Sequence, residues 1–375
     1  MKFKTIIESS AKIKIADEEK ISKELPVFYN PVMKLNRDIS VLLLNSIGKE
    51  NMQIGLPLSG SGVRGLRFFK ELKKGKVKAI YLNDIDKTSF KQIKSNLKLN
   101  KIKSRKITIE NKDANIFMLN SKGFDYIDID PFGSPNKFLN SAMDRLSRDS
   151  ILAVTATDTA PLCGTFPGAC LRKYWARPLR NEIMHELGLR ILIRKIQLIG
   201  AQHDKSLTPI FSYYKDHYFR VFFHAEKGKQ KVDELLKQHA YLTYCSRCTE
   251  TKAVKDIFNI DKCDCGGRLD YAGPLYIGKL FDKELVNKIF NNVKQNKGLY
   301  NFLKIIKEES KIDIVGFFDI HYFCKKHKLN IPKLDHLINK IKKTNKVART
   351  HFCDVGIRSD IRVKGLAKII EDCQS

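Results

Sequence analysis

Short apolar runs alternate with amphipathic stretches along the first part of the chain. The apolar runs predict five strands, at 52–58, 77–82, 107–109, 124–129 and 151–156. Helical patterns lie between them, and strands that alternate with helices favour a parallel sheet with right-handed crossovers. Two later runs, 210–214 and 217–224, flank Lys215-Asp216 and predict a hairpin. The chain therefore predicts an α/β fold, with a Rossmann-like sheet that ends in an antiparallel hairpin edge.

A polar, charged stretch at 226–233 indicates a domain boundary. The larger domain would cover residues 1–228 and a smaller α+β domain residues 229–375. The smaller domain carries a cysteine-bearing insert at 244–267, then helical patterns that include 331–343, and a strand-like segment at 347–352. This order of a helix, a basic helix and a strand predicts a winged-helix-like tail.

The composition favours a polyanionic partner. The 375 residues include 69 Lys and Arg against 41 Asp and Glu, a formal net charge of +28. A charge of this size and sign points to nucleic acid, with a lysine-rich compositional bias as the alternative. The segment 1–20 lacks the apolar core of a signal peptide, and no apolar run is long enough to span a membrane. These features predict a cytoplasmic protein without membrane association, whose nine cysteines are reduced.

The most informative turn follows the fourth predicted strand and contains Asp130, Pro131 and Phe132. Pro131 cannot continue the strand ladder, so the chain must turn there. The Asp130 carboxylate and the Phe132 ring are then expected at the carboxyl end of the sheet, where open α/β folds bind ligands. A planar base with an exocyclic amine would stack on the ring and donate hydrogen bonds to the carboxylate. A tight turn with a solvated aspartate is the alternative.

A glycine pattern, Gly60-x-Gly62-x-x-Gly65, lies between the first predicted strand and the following helix. Such glycines let the backbone approach a ligand at a helix amino terminus. The pattern alone fits NAD, FAD and S-adenosylmethionine equally well.

Two acidic positions, together with the Asp130 turn, narrow the choice among these three cofactors. Asp84 ends the second predicted strand, where an acidic side chain commonly binds the two hydroxyls of an adenosine ribose. Asp113-Ala114 follows the third strand, where such folds hold the adenine ring. A dehydrogenase has no use for the Asp130 turn, so the set favours S-adenosylmethionine over NAD.

Four cysteines form two close pairs, Cys245-x2-Cys248 and Cys263-x-Cys265. Zn²⁺ prefers tetrahedral sulfur, and four protein ligands leave no open position, so the prediction is a structural zinc site. The second pair is one residue tighter than usual, and unligated thiols are the alternative.

Three further features are less specific. His321, Cys324 and His327 follow one another at intervals of three residues, which predicts an ordinary amphipathic helix. Cys163 and Cys170 would suit a pyrimidine C5 nucleophile, but the turn at 130–135 supplies chemistry of a different kind. The basic run at 340–349 either contacts phosphates or is a solvated face.

Taken together, these residues resemble the tRNA (guanine(26)-N2)-dimethyltransferase family of class I S-adenosylmethionine-dependent methyltransferases, in its archaeal form, over nearly the whole chain. The most specific matches are Phe28-Tyr29-Asn30-Pro31, Asn36-Arg37-Asp38, Asp130 to Pro135, Thr155 to Gly164, Arg172-Lys173-Tyr174, His185 to Leu192 and Arg349-Thr350-His351-Phe352. The resemblance implies transfer of one or two methyl groups from S-adenosylmethionine to the exocyclic N2 of a guanine in tRNA, at position 26.

The same resemblance implies roles for individual residues. The residues that would contact the cofactor, beside Gly60 and Gly62, are Arg37, Arg67, Asp84, Asp113 and Ala114. Phe28 and Phe132 would flank the target base, and Asp130 would hold its amine. No obligate protein partner is implied. A DNA amino-methyltransferase and a non-catalytic RNA-binding protein with the same fold are the competing interpretations.

Overall fold

The computed structural model describes residues 3–16, 29–258, 262–293 and 296–373. Its strands are β1 Phe3–Glu8, β2 Ala11–Ala16, β3 Met52–Leu56, β4 Val77–Asn83, β5 Ile107–Glu110, β6 Phe124–Ile129, β7 Leu146–Ala156, β8 Lys205–Lys215, β9 Tyr218–Lys227, β10 His239–Cys245, β11 Thr251–Val254, β12 Leu269–Tyr276, β13 Phe318–Asp319, β14 Val347–Arg349 and β15 Gly356–Ser359. Its α-helices are α1 Lys34–Ser46, α2 Val63–Glu71, α3 Lys87–Leu99, α4 Ala114–Leu119, α5 Asn136–Arg145, α6 Thr159–Leu162, α7 Pro167–Tyr174, α8 Met184–Gln202, α9 Lys229–Leu236, α10 Lys283–Asn291, α11 Lys297–Glu309, α12 Ile320–His327, α13 Leu334–Ile341 and α14 Val363–Glu371.

The central sheet has seven strands in the order β5-β4-β3-β6-β7-β9-β8. Strands β3 to β7 pair in parallel, whereas β9 is antiparallel to both of its neighbours. The predicted parallel sheet with an antiparallel hairpin edge is therefore confirmed. The strand order reverses between β3 and β6, and a crevice opens at the carboxyl ends of strands at such a point.

Apolar side chains on both faces of this sheet form the main core. Ile54, Leu82, Ile127 and Val154 have no solvent exposure, as expected for parallel strands covered by helices on both faces. The same core continues through Leu303 on α11, beyond the predicted boundary at residue 228. That boundary stays a prediction.

The amino-terminal segment forms a hairpin, β1-β2, that the sequence pattern did not predict. Its apolar residues Ala11 and Ile13 are buried against Val63 and Leu66 on α2. The hairpin therefore covers the helix that follows the glycine loop.

The carboxyl-terminal region contains two small sheets, β11-β10-β12 and β13-β15-β14. Helices α12, α13 and α14 share a second apolar core with the latter sheet. The predicted helix at 331–343 is observed as the shorter α13, and the predicted strand at 347–352 as the three-residue β14. The winged-helix-like fold of this tail stays a prediction.

A buried ionic network joins α8 to the tail. Both Glu186 carboxylate oxygens accept hydrogen bonds from Arg358, at 3.1 and 2.8 Å, and Arg190 donates to the same group at 2.8 Å. Glu309 lies 2.6 Å from His351 Nδ1 and 3.0 Å from Arg358 Nε. Two of the motifs that carried the resemblance, 185–192 and 349–352, thus meet in one interior cluster.

None of the α-helices in the described ranges is long and apolar enough to cross a membrane.

Candidate active site

A cavity of about 850 Å³ opens at the carboxyl ends of the parallel strands. The loops after β3, β4, β6 and β7 line it, together with the segment before α1. It brings together five residues predicted from the sequence, namely Arg37, Gly60, Asp84, Asp130 and Phe132.

The glycine loop needs its glycines for two different reasons. Gly62 has φ +77° and begins α2, and this left-handed conformation favours a residue without Cβ. A Cβ on Gly65 would collide with the Leu82 side chain on β4, so Gly65 lets α2 pack closely on the sheet. The Gly60 N–H donates to Asp84 Oδ2 at 2.7 Å, which fixes the loop to the end of β4.

Asp84 is held by backbone donors at the cavity wall. Its second oxygen accepts from the Asp86 N–H at 3.0 Å, and burial raises the pKa of the carboxyl above its usual range. The adjacent Ile85 lines the same cavity with 65% of its surface exposed. The Asp84 carboxylate can accept further hydrogen bonds, such as those that the hydroxyls of a ribose donate. The apolar Ile85 side chain beside it suits a planar ring attached to that ribose.

Asp130 is bound through one oxygen only among the described residues. Arg64 Nη2 donates to Asp130 Oδ2 at 2.5 Å, while no described donor contacts Oδ1. Arg64 is itself fixed by hydrogen bonds to Asn36 Oδ1 at 3.0 Å and Ser40 Oγ at 2.9 Å. The carboxylate is therefore oriented by a buried cation and keeps acceptor capacity for a ligand.

A buried pair lies beneath this contact. Asp128 receives two hydrogen bonds of 2.8 Å from Arg220 and one of 2.5 Å from the Tyr126 hydroxyl. Burial alone would raise the pKa of Asp128, but the Arg220 and Arg64 guanidiniums outweigh it and lower that pKa. Burial opposes the charge of Arg64, yet Asp128 and Asp130 raise its pKa further. Two arginines and two aspartates thus balance in charge at the base of the cavity.

Phe132 lies at the rim and is 46% exposed. The turn that carries it is fixed to the end of β7, because the Gly133 N–H donates to Thr157 Oγ1 at 2.7 Å and the Thr157 N–H donates back to the Gly133 carbonyl at 3.0 Å. The ring is therefore presented on a fixed turn beside Asp130.

The two arginines predicted to contact the cofactor, Arg37 and Arg67, are both paired with Glu8. Arg37 lines the cavity, but its guanidinium forms a bidentate pair with Glu8, at 2.7 and 2.5 Å. Arg67 is buried outside the cavity lining and pairs with Glu8 at 2.9 Å and Asp38 at 2.7 Å. Burial would raise the pKa of Glu8, but Arg37 and Arg67 lower it to about 2.

Two more predicted positions lie along the next strand end. Asp113 caps α4 by accepting from the backbone N–H groups of Asn115 and Ile116, at 2.8 and 3.3 Å. Ala114 is buried at the start of that helix, and neither residue borders the cavity. Phe28, which the resemblance places against the target base, lies outside the residues that the structure describes.

Sequence reasoning missed several residues that border the cavity, among them Tyr29, Arg64, Ile85, Lys137, Thr157, His217 and Tyr218. Ile85 follows Asp84 directly and Thr157 directly follows the fifth predicted strand, so their positions after strand ends were available as a signal. Arg64 lies inside the glycine pattern, but its pairing with Asp130 joins residues 66 positions apart, which no local pattern encodes.

We expect Arg64→Gln to lower kcat for methyl transfer about 10²-fold, because the Arg64 guanidinium holds the Asp130 carboxylate in one orientation and misplacement of a reacting group is costly. The measurement is single-turnover methyl transfer to the tRNA transcript. Arg64→Lys keeps the positive charge beside Asp130 and should restore part of the rate. A rate for Arg64→Gln equal to that of the unchanged protein would contradict this role for Arg64.

The four predicted cysteines also converge. Their Sγ atoms all lie within 4.8 Å of one another, with Cys245 and Cys265 at 3.5 Å and Cys248 and Cys263 at 3.5 Å. No other cluster of three or more His, Cys, Asp or Glu ligands occurs in the part of the chain that the structure describes. Four thiolates at this spacing fit a tetrahedral zinc ion.

Comparisons with known proteins agree with this arrangement. Residues 9–371 match the family model described as N2,N2-dimethylguanosine tRNA methyltransferase. The tRNA (guanine(26)-N(2)/guanine(27)-N(2))-dimethyltransferase of Aquifex aeolicus is 41% identical over 97% of this chain and 95% of its own length. The tRNA (guanine(26)-N(2))-dimethyltransferase of Methanobrevibacter smithii is 38% identical over 100% and 98%.

A solved structure is also similar over nearly its full length. Trm1 from Pyrococcus horikoshii, in complex with S-adenosyl-L-methionine, has a TM-score of 0.86 and 35% sequence identity, and the match covers 98% of this chain and 99% of that one. The chain therefore belongs to the N2,N2-dimethylguanosine tRNA methyltransferase family.

Proposed function

We propose that this protein transfers one or two methyl groups from S-adenosylmethionine to the exocyclic N2 of a guanine at position 26 of tRNA. The observation that carries the proposal is a single cavity in which Asp130, oriented by Arg64, lies with Phe132, Gly60 and Asp84. Relatives whose names specify this reaction match nearly the whole chain. Modification of tRNA is consistent with a cytoplasmic location.

The methyl donor would bind along the glycine loop and the end of β4. S-adenosylmethionine supplies an electrophilic methyl group on a sulfonium when it is bound. Asp84 would accept hydrogen bonds from the ribose hydroxyls, and Ile85 would pack against the adenine ring. The contacts that the resemblance assigns to Arg37, Arg67, Asp113 and Ala114 remain part of this proposal.

Asp130 would prepare the guanine amine for attack. That amine is a poor nucleophile because its lone pair is delocalised into the ring. A hydrogen bond from the amine to Asp130 Oδ1 would aim the nitrogen and turn its lone pair out of conjugation, and positioning of this kind supplies up to several kcal/mol of the barrier. The nitrogen would form its bond to the methyl carbon as the carbon–sulfur bond breaks and the donor leaves as a neutral thioether. The adjacent carboxylate would stabilise the positive charge on nitrogen until the amine proton passes to it and then to water.

Phe132 would hold the base in place. A guanine within folded RNA must leave its stack to enter the cavity, and an aromatic side chain offsets part of the lost stacking. The ring is exposed at the rim, beside the carboxylate that would receive the amine. Phe28 would contact the opposite face of the base, as the resemblance implies.

Zinc would hold the cysteine cluster together as a structural ion. The cluster lies against the carboxyl-terminal tail, because Cys248 packs on the second apolar core and its carbonyl oxygen lies 3.3 Å from His327 Nε2. Loss of the ion would therefore loosen a contact between the insert and α12.

Cys248→Ser is expected to abolish stoichiometric zinc and to lower the melting temperature, because metal binding and folding are coupled in such sites. Elemental analysis of the purified chain and a thermal melt provide the two readouts. Cys373→Ser, which changes a cysteine outside the cluster, is the matched control. Equal zinc content and equal melting temperatures in the two variants would rule out this site.

Methyl transfer to competing substrates tests the proposed function. Purified protein is incubated with methyl-labelled S-adenosylmethionine and either an unmodified tRNA transcript or a DNA duplex. Incorporation into the transcript alone supports the proposal. Incorporation into DNA alone would favour a DNA amino-methyltransferase, and cofactor binding without any incorporation would favour a non-catalytic RNA-binding protein.

A further inference from the structure

Large apolar side chains lie open to solvent on and beside α7. Phe166 is 58% exposed, Leu171 60% and Trp175 44%, and the cation Arg172 is exposed among them. The Trp175 N–H donates to the Leu171 carbonyl at 3.1 Å, so these two residues are neighbours at the end of α7. We call these four residues the α7 ledge. A patch of this kind on a protein surface commonly marks a binding site.

Helix α7, which carries the ledge, is fixed beside the cavity. The Lys173 carbonyl accepts from Asn136 Nδ2 at 2.7 Å, at the start of the helix that follows the Asp130 turn. The Tyr174 hydroxyl and the Lys173 ammonium both donate to Asp158, at 3.2 and 2.9 Å. Asp158 directly follows Thr157, which lines the cavity. The ledge therefore lies on a helix anchored to the cavity wall, within reach of a polynucleotide whose target base enters the cavity.

Trp175 ends α7 at a position where glycine or asparagine is usual. It has φ +55°, the left-handed conformation in which helices commonly end but which bulky side chains rarely adopt. The ammonium of the buried Lys195 lies 2.8 Å from the centre of its indole ring, and Arg194 Nη1 donates to its carbonyl at 3.3 Å. Strained backbone positions of this kind cluster at active sites and ligand clamps, and here the strain places a half-exposed aromatic ring at the surface.

We propose that the α7 ledge binds the nucleotides next to the target guanine, with Trp175 and Phe166 stacking on bases and Arg172 contacting a phosphate. The inference rests on the proposed function and adds the surface that holds the substrate. Extrusion of one base leaves its neighbours without a stacking partner, and aromatic rings with arginine are the usual protein replacements. The net charge of +28 and the basic residues of α7 favour RNA as the occupant.

Trp175 provides a direct fluorescence readout of binding at the α7 ledge, because it is the one tryptophan in the sequence. Titration with an unmodified tRNA transcript should change the tryptophan emission, with a midpoint equal to that of binding measured by filter retention. Retention of the transcript with no change in emission would overturn the proposal.

Steady-state kinetics separates a substrate contact from a structural role. Arg172→Glu and Trp175→Ala are each expected to raise KM for the transcript about tenfold, with kcat within about twofold of the original value. Trp175→Phe should recover most of the loss, since it keeps an aromatic ring. The matched control is Lys74→Glu, which also reverses an exposed charge. Lys74 lies just before β4 begins, at the amino ends of the parallel strands and therefore away from the cavity at their carboxyl ends.

The outcomes distinguish the two proposals. Methylation of the transcript with unchanged KM in both ledge variants overturns the α7 ledge alone. If the protein without substitutions binds the transcript but methylates no RNA, the proposed function is overturned. The role of the α7 ledge as a surface for the methylation substrate is then overturned as well. An increase in KM confined to the ledge variants, alongside normal Lys74→Glu kinetics, supports both.

Discussion

Asp130→Asn is expected to lower kcat for tRNA methylation about 10³-fold, in the range that a positioned acid–base or electrostatic group contributes. The amide is neutral, so it cannot stabilise the positive charge that develops on the guanine amine, and it removes one of the two carboxylates that pair with Arg64. The affinity for S-adenosylmethionine should stay within about threefold, because Asp84 and the glycine loop are unchanged. Single-turnover kinetics and calorimetric cofactor binding give the two values.

Asp86→Asn is the matched control for this prediction. Asp86 borders the same cavity and caps α3 through the Ser89 N–H, and asparagine caps a helix equally well. The control should therefore retain nearly full activity. A similar loss in both variants, or full activity in Asp130→Asn, would show that Asp130 has no special part in the reaction.

Glu186→Ala is expected to lower the free energy of unfolding by about 3–5 kcal/mol, the usual cost of removing one partner from a buried ion pair. Glu186 is fully buried, and burial would raise its pKa, but Arg358 and Arg190 outweigh that effect and lower the pKa. Without the carboxylate, both guanidiniums lose a buried counter-charge, and α8 loses its ionic contact with the tail.

Urea unfolding followed by circular dichroism measures this loss. The control is Glu308→Ala, which removes an exposed glutamate that pairs with Lys311 at 2.8 Å. Exposed pairs contribute about 0–1 kcal/mol, so this variant should unfold close to the original midpoint. Equal midpoints for Glu186→Ala and the original chain would show that the network does not stabilise the junction.

The sequence predicted the parts of the fold that depend on local patterns. Strands β3 to β7 and the β8-β9 hairpin contain short, predominantly apolar runs, and Asp84 and Asp130 directly follow two of those strands. Their convergence follows because carboxyl ends of parallel strands meet at one edge of a sheet. The cysteine pairs were predictable for a similar reason, since ligand spacing is a local property of the chain.

Other features depend on partners far along the chain, which a single sequence does not reveal. Arg358 and Glu186 are 172 positions apart, so neither residue signals the network that joins them. The resemblance assigns Arg67 to the cofactor, whereas in the structure Arg67 pairs with Glu8 on β1. That contact depends on the β1-β2 hairpin, which the alternating charges of the amino-terminal segment did not predict.

The most direct test of the central claim is the identity of the methylated atom. An unmodified tRNA transcript is incubated with the protein and S-adenosylmethionine, then digested to nucleosides for mass spectrometry. A parallel transcript carries inosine at position 26, which lacks the exocyclic amine of guanosine. We expect N2-methylguanosine or N2,N2-dimethylguanosine in the first transcript and no methyl group at position 26 of the second. Methylation of a ring nitrogen, or an equal yield from the inosine transcript, would contradict it.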